Sequence, residues 1–106
     1  MSNQTLQINC DLGEGVSGES KILPWIDAAS IACGGHYGDE VSIRKTLHEC
    51  LLTGVKVGAH PSYPDREGFG RSRNNVSLED LALSLKSQVS ELLHIAATTG
   101  AVVHHI

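Results

Sequence analysis

The chain has few aromatic residues and no long apolar run; the first shortage limits the composition of its core, and the second argues against a membrane-spanning protein. Aromatic side chains make up 4% of its 106 residues, so we expect a core of Leu, Ile, Val and Ala. No stretch approaches the roughly 20 apolar residues of a membrane span, and the N-terminus lacks the basic and apolar regions of a signal peptide. The net charge of -4 argues against nucleic acid and anionic membrane surfaces as partners.

Cysteine is also scarce. Cys10, Cys33 and Cys50 are odd in number, widely spaced and form no C-x-x-C pair. This pattern argues against a disulfide framework and against a structural zinc site. We therefore expect buried free thiols and a reducing cytoplasmic compartment.

Apolar periodicity predicts alternating strands and helices along the whole chain. We expect strands at 6–10, 29–33, 55–59 and 101–106, a short helix or turn at 19–26 interrupted by Pro24, a helix at 39–53, and a long helix that ends at Gly100. Ser77 to Asp80 has the form of a capping box. The apolar faces are expected at Val41, Leu47, Cys50 and Leu51 in the first helix, and at Leu78, Leu81, Ala82, Leu85, Val89, Leu92, Leu93 and Ala96 in the second.

This alternation predicts an α/β fold with a parallel sheet. We expect residues 1–106 to form a single domain. The last predicted strand has no following helix to cover it. We therefore expect self-association through this terminal strand, or completion by a missing C-terminal portion, because unpaired strand edges and exposed apolar patches promote association.

Carboxylates and histidines follow the first three predicted strands. Asp11 and Glu14 follow the first, His36 the second and His60 the third. The carboxyl ends of parallel strands share one edge of a sheet, so we expect these four side chains to line one cleft. The pattern predicts part of an enzyme, although Asp11 and Glu14 are equally typical of a turn aspartate and a solvated glutamate.

Two kinds of chemistry remain open for this cleft. Asp11, His36 and His60 could hold a catalytic divalent metal, or they could form a metal-free acid–base set. Asn9 could hold one of the carboxylates by hydrogen bonding. Of the remaining histidines, His48 and His94 are expected at helix surfaces, whereas one of the adjacent His104 and His105 could reach the site.

Two loops have ambiguous patterns. The loop at 61–76 carries Arg66, Arg71 and Arg73, and it is either a solvated surface loop or a mobile cover whose arginine binds a carboxylate or phosphate. The glycine-rich loop at 13–18 matches G-x-G-x-x-G after a strand. Acidic residues stand where a pyrophosphate would bind, so the dinucleotide interpretation is weak.

Three segments closely resemble the LamB/YcsF family. They are NCDLGEG at 9–15, IACGGHYGD at 31–39, and VGAHPSYPD at 57–65 followed by GFGR at 68–71. The resemblance covers the chain, and it implies a barrel of the glycoside hydrolase/deacetylase-like type. Residues 1–106 would then form a single incomplete (β/α) barrel domain that contains only the first four strands. Gly35 and Tyr37 depart from the Phe and Ala of many relatives and are expected to reshape the pocket. Members are more than twice this length, so we expect the N-terminal portion of a longer chain.

The resemblance also implies an activity, the ATP-dependent hydrolysis of 5-oxo-L-proline to L-glutamate. It implies ATP with Mg as a cofactor of a complex with 5-oxoprolinase subunits B and C. Asp11 or Glu14 would be the base, and His36 and His60 would orient the intermediate, transfer protons or bind a metal. The candidate substrate-binding residues are Asn9, Asp39, Tyr63 and Arg71. The alternatives are a metal-dependent deacetylase or amidohydrolase that needs no ATP, and a non-catalytic fragment that docks on partner subunits.

Overall fold

A computed structural model describes residues 6–106. The elements in chain order are β1 (Asn9–Leu12), a 3-10 helix (Glu19–Trp25), β2 (Ala28–Ala32), α1 (Glu40–Thr53), β3 (Lys56–His60), α2 (Leu78–Thr99) and β4 (Val103–His105). The strands form one parallel sheet in the order β1-β2-β3-β4. The predicted α/β fold with a parallel sheet is confirmed, and the arrangement is that of a partial (β/α) barrel.

The strand boundaries differ from the predicted ones. The largest difference is in β1, because Leu6 and Ile8 suggested a strand at 6–10 but are exposed. The amides of Asp27 and Ala28 both donate to the Ile8 carbonyl, and strand pairing then starts at Asn9 opposite Ala28. β2 and β3 are each displaced by about one residue, and β4 is shorter than predicted. Asp11 and His60 therefore lie within strands rather than after them.

Both long helices begin at a capping side chain and end at a glycine. Asp39 accepts the Ser42 amide while the Ser42 hydroxyl accepts the Asp39 amide, a reciprocal capping box. Ser77 accepts the amide of Asp80. Gly54 and Gly100 end the helices in the left-handed conformation.

The predicted apolar faces are partly wrong. In α1, Val41 and Leu51 are exposed, and the buried positions are Ile43, Thr46, Leu47 and Cys50. In α2, Leu78 and Leu93 are exposed, whereas Ile95 and the polar Gln88 are buried. The buried face of α1 therefore differs from the predicted one, whereas most of the predicted α2 face is buried or half-buried, namely Leu81, Leu85, Val89, Leu92 and Ala96.

The two faces of the sheet have different chemistry because successive strand residues point to opposite sides. One face carries Leu12, Ile31 and Val57 into an apolar core with both long helices. The other face is polar: the Asn9 amide and the Ser30 hydroxyl hydrogen-bond each other and the His105 ring. The carboxylates and imidazoles described next belong to this polar side and its carboxyl edge.

The three cysteines are free thiols. Cys33 and Cys50 are buried, and burial raises the pKa of each thiol to about 11. Cys10 is only half-buried, so the expectation of three buried thiols holds for two of them. Over residues 6–106, none of the helices combines the length and apolarity required to cross a membrane.

Candidate active site

A cleft of about 220 Å³ opens at the carboxyl edge of the sheet. It is lined by Asp11, Glu14, His36, His60, Ser62, Phe69, Gly70 and Arg71. Asp11 and His60 come from β1 and β3, while Glu14 and His36 come from the loops that follow β1 and β2. The four carboxylate and imidazole side chains that sequence reasoning selected are therefore brought together in one place.

The deeper half of the cleft is a pair formed by Glu14 and His36. Oε2 of Glu14 lies 2.5 Å from Nε2 of His36. The side chains are 14% and 3% exposed respectively, so a proton in this contact is largely shielded from water. Phe69 meets the His36 ring edge-on, with the ring centroids 4.8 Å apart.

The outer half of the cleft is a second carboxylate–imidazole pair. Oδ2 of Asp11 lies 3.4 Å from Nε2 of His60, and the two side chains are 55% and 34% exposed. The ring of His60 is also 4.9 Å from that of His36, centroid to centroid. One pair is thus open to water and the other is enclosed, although the two pairs are in contact.

Glu19 holds the backbone that carries Glu14. The amides of Gly13 and Glu14 donate to its two carboxylate oxygens, at 2.7 and 3.0 Å. The glycine-rich loop thus already binds an anion, and that anion belongs to the protein itself. Because Glu19 already accepts the amides of Gly13 and Glu14, the G-x-G-x-x-G pattern does not require a bound phosphate at these two amides. Glu19 was not selected from the sequence. The available signal was its position as an acidic residue in the first turn of the 3-10 helix.

Ser62 and Gln88 support His36 from behind. The Ser62 hydroxyl lies 3.0 Å from Nδ1 of His36. Gln88, in α2, accepts the Ser62 amide and donates to the Ser62 carbonyl, at 2.9 and 2.8 Å. Neither residue was selected from the sequence. The available signal was a glutamine at helical spacing between Leu85 and Leu92, within an otherwise apolar stripe.

The loop at 61–76 is organised by Asp65. Its carboxylate accepts the amides of Gly68 and Ser72, and these hydrogen bonds hold the pKa of Asp65 below its usual value. Phe69 has a left-handed backbone with a φ of 55°, which places its ring against His36. Of the three arginines in this loop, Arg71 lines the cleft, whereas Arg66 donates to the Gly38 carbonyl.

Three of the candidate substrate-binding residues lie outside the cleft lining. Asn9 belongs to the network with Ser30 and His105 on the polar face of the sheet. Asp39 caps α1, and Tyr63 is exposed on the 61–76 loop. His105 was expected as one of two terminal histidines that could reach the site, but it contacts Asn9 and Ser30 and does not line the cleft. Burial together with the nearby His104 lowers its pKa.

A larger hollow, about 340 Å³, lies between the glycine-rich loop and α1. Lys45, Glu19 and Glu49 contribute charges of both signs to its wall. None of the four selected carboxylate and imidazole side chains reaches it, so its size does not make it the reaction site.

Glu14, His36 and His60 could together bind a metal ion. One ligand atom from each lies within 4.8 Å of the others. Two imidazole nitrogens and one carboxylate oxygen are a common donor set of catalytic zinc. The 2.5 Å contact between Glu14 and His36 is shorter than the roughly 3.3 Å between two ligands of one tetrahedral zinc, so the carboxylate would have to swing back. The carboxylate of this ligand set is thus Glu14, which lies within 4.0 Å of both imidazoles, whereas the sequence had suggested Asp11.

Comparison with known proteins extends the likeness beyond the cleft. The chain is 39% identical over 107 residues to the A subunit of 5-oxoprolinase from Chloroflexus aggregans, and equally to the A subunit from Chloroflexus aurantiacus. Each alignment includes 96% of this chain but 42% of the relative. The crystal structure of a lactam utilization protein from Thermus thermophilus superimposes with a TM-score of 0.89 at 32% identity, covering 96% of this chain and 43% of that one.

The match to a family is equally extensive. Residues 6–106 fit the sequence model of the LamB/YcsF family, and this range contains all the strands and the whole cleft. The three resembling segments noted in the sequence are the ones that supply the cleft's carboxylates and imidazoles. On this agreement of sequence, fold and site, the chain belongs to the LamB/YcsF family.

Proposed function

We propose that this chain supplies the hydrolytic centre of an ATP-dependent 5-oxoprolinase, which converts 5-oxo-L-proline to L-glutamate. The observation that carries the proposal is the presence of two carboxylate–imidazole pairs of unequal exposure in one cleft. The Chloroflexus relatives, both named for 5-oxoprolinase, support the choice of substrate. Because the chain spans 42% of their length, the activity is proposed for the assembled enzyme.

Opening a cyclic amide requires two proton transfers. Water adds to the ring carbonyl carbon and loses a proton, the carbon–nitrogen bond breaks, and the released nitrogen gains a proton. Asp11 and His60 form the exposed pair, which supports their role as acceptor of the proton of the attacking water. Glu14 and His36 form the enclosed pair, which supports their role as donor to the leaving nitrogen.

The substrate has a carboxylate next to its ring nitrogen, and the cleft offers one cation to bind it. Arg71 is the arginine of the cleft wall, and its guanidinium can form two parallel hydrogen bonds with a carboxylate. Binding there would orient the ring carbonyl toward the two pairs. This positioning is worth more than the ion pair alone, because a fixed orientation lowers the entropic part of the barrier.

A divalent cation is an alternative occupant of the same site, because it would replace the proton that Glu14 and His36 share. Glu14, His36 and His60 would be its ligands, and the hydrogen bond between Ser62 and Nδ1 of His36 is the outer-shell contact that orients a metal-binding imidazole. Such a cation would polarise the ring carbonyl. Titration calorimetry with zinc, manganese and magnesium should detect binding that His36→Ala abolishes and that the surface variant His94→Ala retains. Equal binding by both variants would exclude this ligand set.

ATP and the partner subunits belong to the assembled enzyme in this proposal. ATP with Mg would activate the amide oxygen of 5-oxoproline before water attacks. Subunits B and C would complete a cytoplasmic complex. The relatives' names, which designate them as one lettered component of 5-oxoprolinase, support an assembly of several chains.

The direct test compares variants of the cleft within the assembled enzyme. Asp11→Asn and His60→Ala should each lower ATP-dependent glutamate formation by roughly 10²–10⁴-fold, because each removes a positioned acid–base group. His48→Ala and His94→Ala are matched controls, since both histidines are exposed on helices. Near-normal turnover in both cleft variants would assign Asp11 and His60 to structure alone.

A second candidate is favoured by the ligand set of Glu14, His36 and His60. It is a metal-dependent deacetylase or amidohydrolase that works without ATP. The two functions separate in one experiment: hydrolysis of an N-acylated sugar by the metal-loaded chain, without ATP or partner subunits, supports the second. Glutamate formation that requires ATP and partners supports the first.

A further inference from the structure

We infer that Gln88 is a positioning residue of the cleft, acting through Ser62 to fix which nitrogen of His36 carries a proton. Gln88 lies in α2, one layer behind the reacting groups, and is 7% exposed. Its catalytic consequence rests on the proposed function, but its structural consequence for His36 does not.

The contact between Gln88 and Ser62 has the form of a paired amide. Oε1 of Gln88 accepts the Ser62 amide, and Nε2 donates both to the Ser62 carbonyl and to the hydroxyl of Ser84, at 3.1 Å. Only one orientation of the side-chain amide satisfies these partners, because the backbone amide can only donate and the carbonyl can only accept. Gln88 therefore fixes the backbone of Ser62, which is separated from His60 of β3 only by Pro61.

Gly35 provides the space for this arrangement. A Cβ at position 35 would lie 2.5 Å from the Ser62 hydroxyl oxygen and 2.6 Å from Oε1 of Gln88. A side chain at this position would therefore displace both residues. Gly35 and Gln88 therefore act together to position Ser62, although 53 positions separate them in the sequence.

The hydrogen bonds of the Ser62 hydroxyl, whose position Gln88 fixes, select one tautomer of the His36 ring. The hydroxyl oxygen lies 3.0 Å from the carbonyl of Tyr63, which can only accept, so the hydroxyl donates there. The same hydroxyl oxygen must then accept from Nδ1 of His36, at 3.0 Å. Nδ1 keeps its own proton, so Nε2 is left to face Glu14, and the proton between those two atoms is the one available for transfer.

The test measures the His36 ring directly. In the full chain with labelled histidine nitrogens, at neutral pH with a chelator, NMR should show a protonated Nδ1 in the wild type. Gln88→Met keeps the length of the side chain but removes its hydrogen bonds, and Ser62→Ala removes the acceptor. Both variants should lose the Nδ1–H signal. In the assembled enzyme, Gln88→Met should lower the maximal rate by up to roughly 10²-fold, the scale of a 1 Å misplacement, with little change in half-saturation.

Leu92→Val is the matched control, because it changes buried packing one turn further along α2. It should retain both the Nδ1–H signal and the rate. A wild-type signal in Gln88→Met would overturn the inference, and so would loss of the signal in Leu92→Val, which would show general loosening of the helix. If the assembled enzyme forms no glutamate but the ring responds as expected, the proposed function fails while the positioning role stands.

Discussion

Gly70 places a backbone turn directly against His36, and a methyl group there tests how closely the cleft is packed. Its φ is 75°, and an added Cβ would lie 3.0 Å from Cβ of His36. Gly54 and Gly100 have similar φ values of 72° and 83°, yet an added Cβ at either meets nothing within 4 Å. Gly70→Ala therefore combines backbone strain with crowding, whereas Gly54→Ala and Gly100→Ala produce the strain alone.

The expected magnitudes follow from these two contributions. A left-handed backbone costs an L-residue about 1–2 kcal/mol, and loss of glycine's freedom in the unfolded chain offsets about 0.4–1 kcal/mol. Each control should therefore destabilise the chain by about 1 kcal/mol. At Gly70 the contact with His36 is well inside the optimal carbon–carbon separation of about 3.5–4.0 Å. Overpacking typically costs about 1–3 kcal/mol more, so we expect a total of about 3 kcal/mol.

Urea unfolding of the three variants measures these free energies of unfolding. The difference of about 2 kcal/mol between Gly70→Ala and the controls corresponds to roughly 30-fold in the unfolding equilibrium constant. Gly70→Ala should also impair turnover by the assembled enzyme, because it pushes His36 away from Glu14, while the controls should not. If Gly70→Ala is no less stable than Gly54→Ala and retains full activity, the contact with His36 does not constrain the cleft.

Two further predictions concern the loop at 61–76. Arg71→Ala should raise the substrate concentration for half-maximal rate more than it lowers the maximal rate, because it removes binding shared by ground and transition states. Arg73→Ala on the same loop is the control. An unchanged half-saturation concentration in Arg71→Ala would remove Arg71 from the substrate site. The amides of Gly68 and Ser72 lower the folded-state pKa of Asp65. The ionised carboxylate therefore stabilises the loop at pH values above the ordinary carboxyl pKa of about 3.9. This stabilisation is lost as the pH falls through the lowered pKa. The NMR shifts of those two amides should change in that acid range in the wild type and in the control Glu67→Gln but not in Asp65→Asn, and amides that do not titrate in the wild type would contradict this account.

Local sequence patterns predicted the elements better than their boundaries. The alternation of apolar runs and amphipathic stretches was sufficient to predict four parallel strands and two long helices, because each element's hydrophobic period is a local property. The exact start of β1 could not be predicted from local sequence. It depended on the amides of Asp27 and Ala28 reaching the Ile8 carbonyl, a contact between segments about 20 residues apart in the sequence.

The sequence by itself determined that four carboxylate and imidazole side chains gather at one edge of the sheet. Asp11, Glu14, His36 and His60 lie at or just after strands, and parallel topology gathers strand ends at one edge of the sheet. Only the tertiary structure decided how they pair, with Glu14 on His36 and Asp11 on His60. It also decided that Asn9, Asp39 and Tyr63 lie away from the cleft lining, and that Gln88 stands behind His36. Spacing along a chain fixes the edge a residue reaches, but pairing depends on side-chain directions and on elements that meet only after folding.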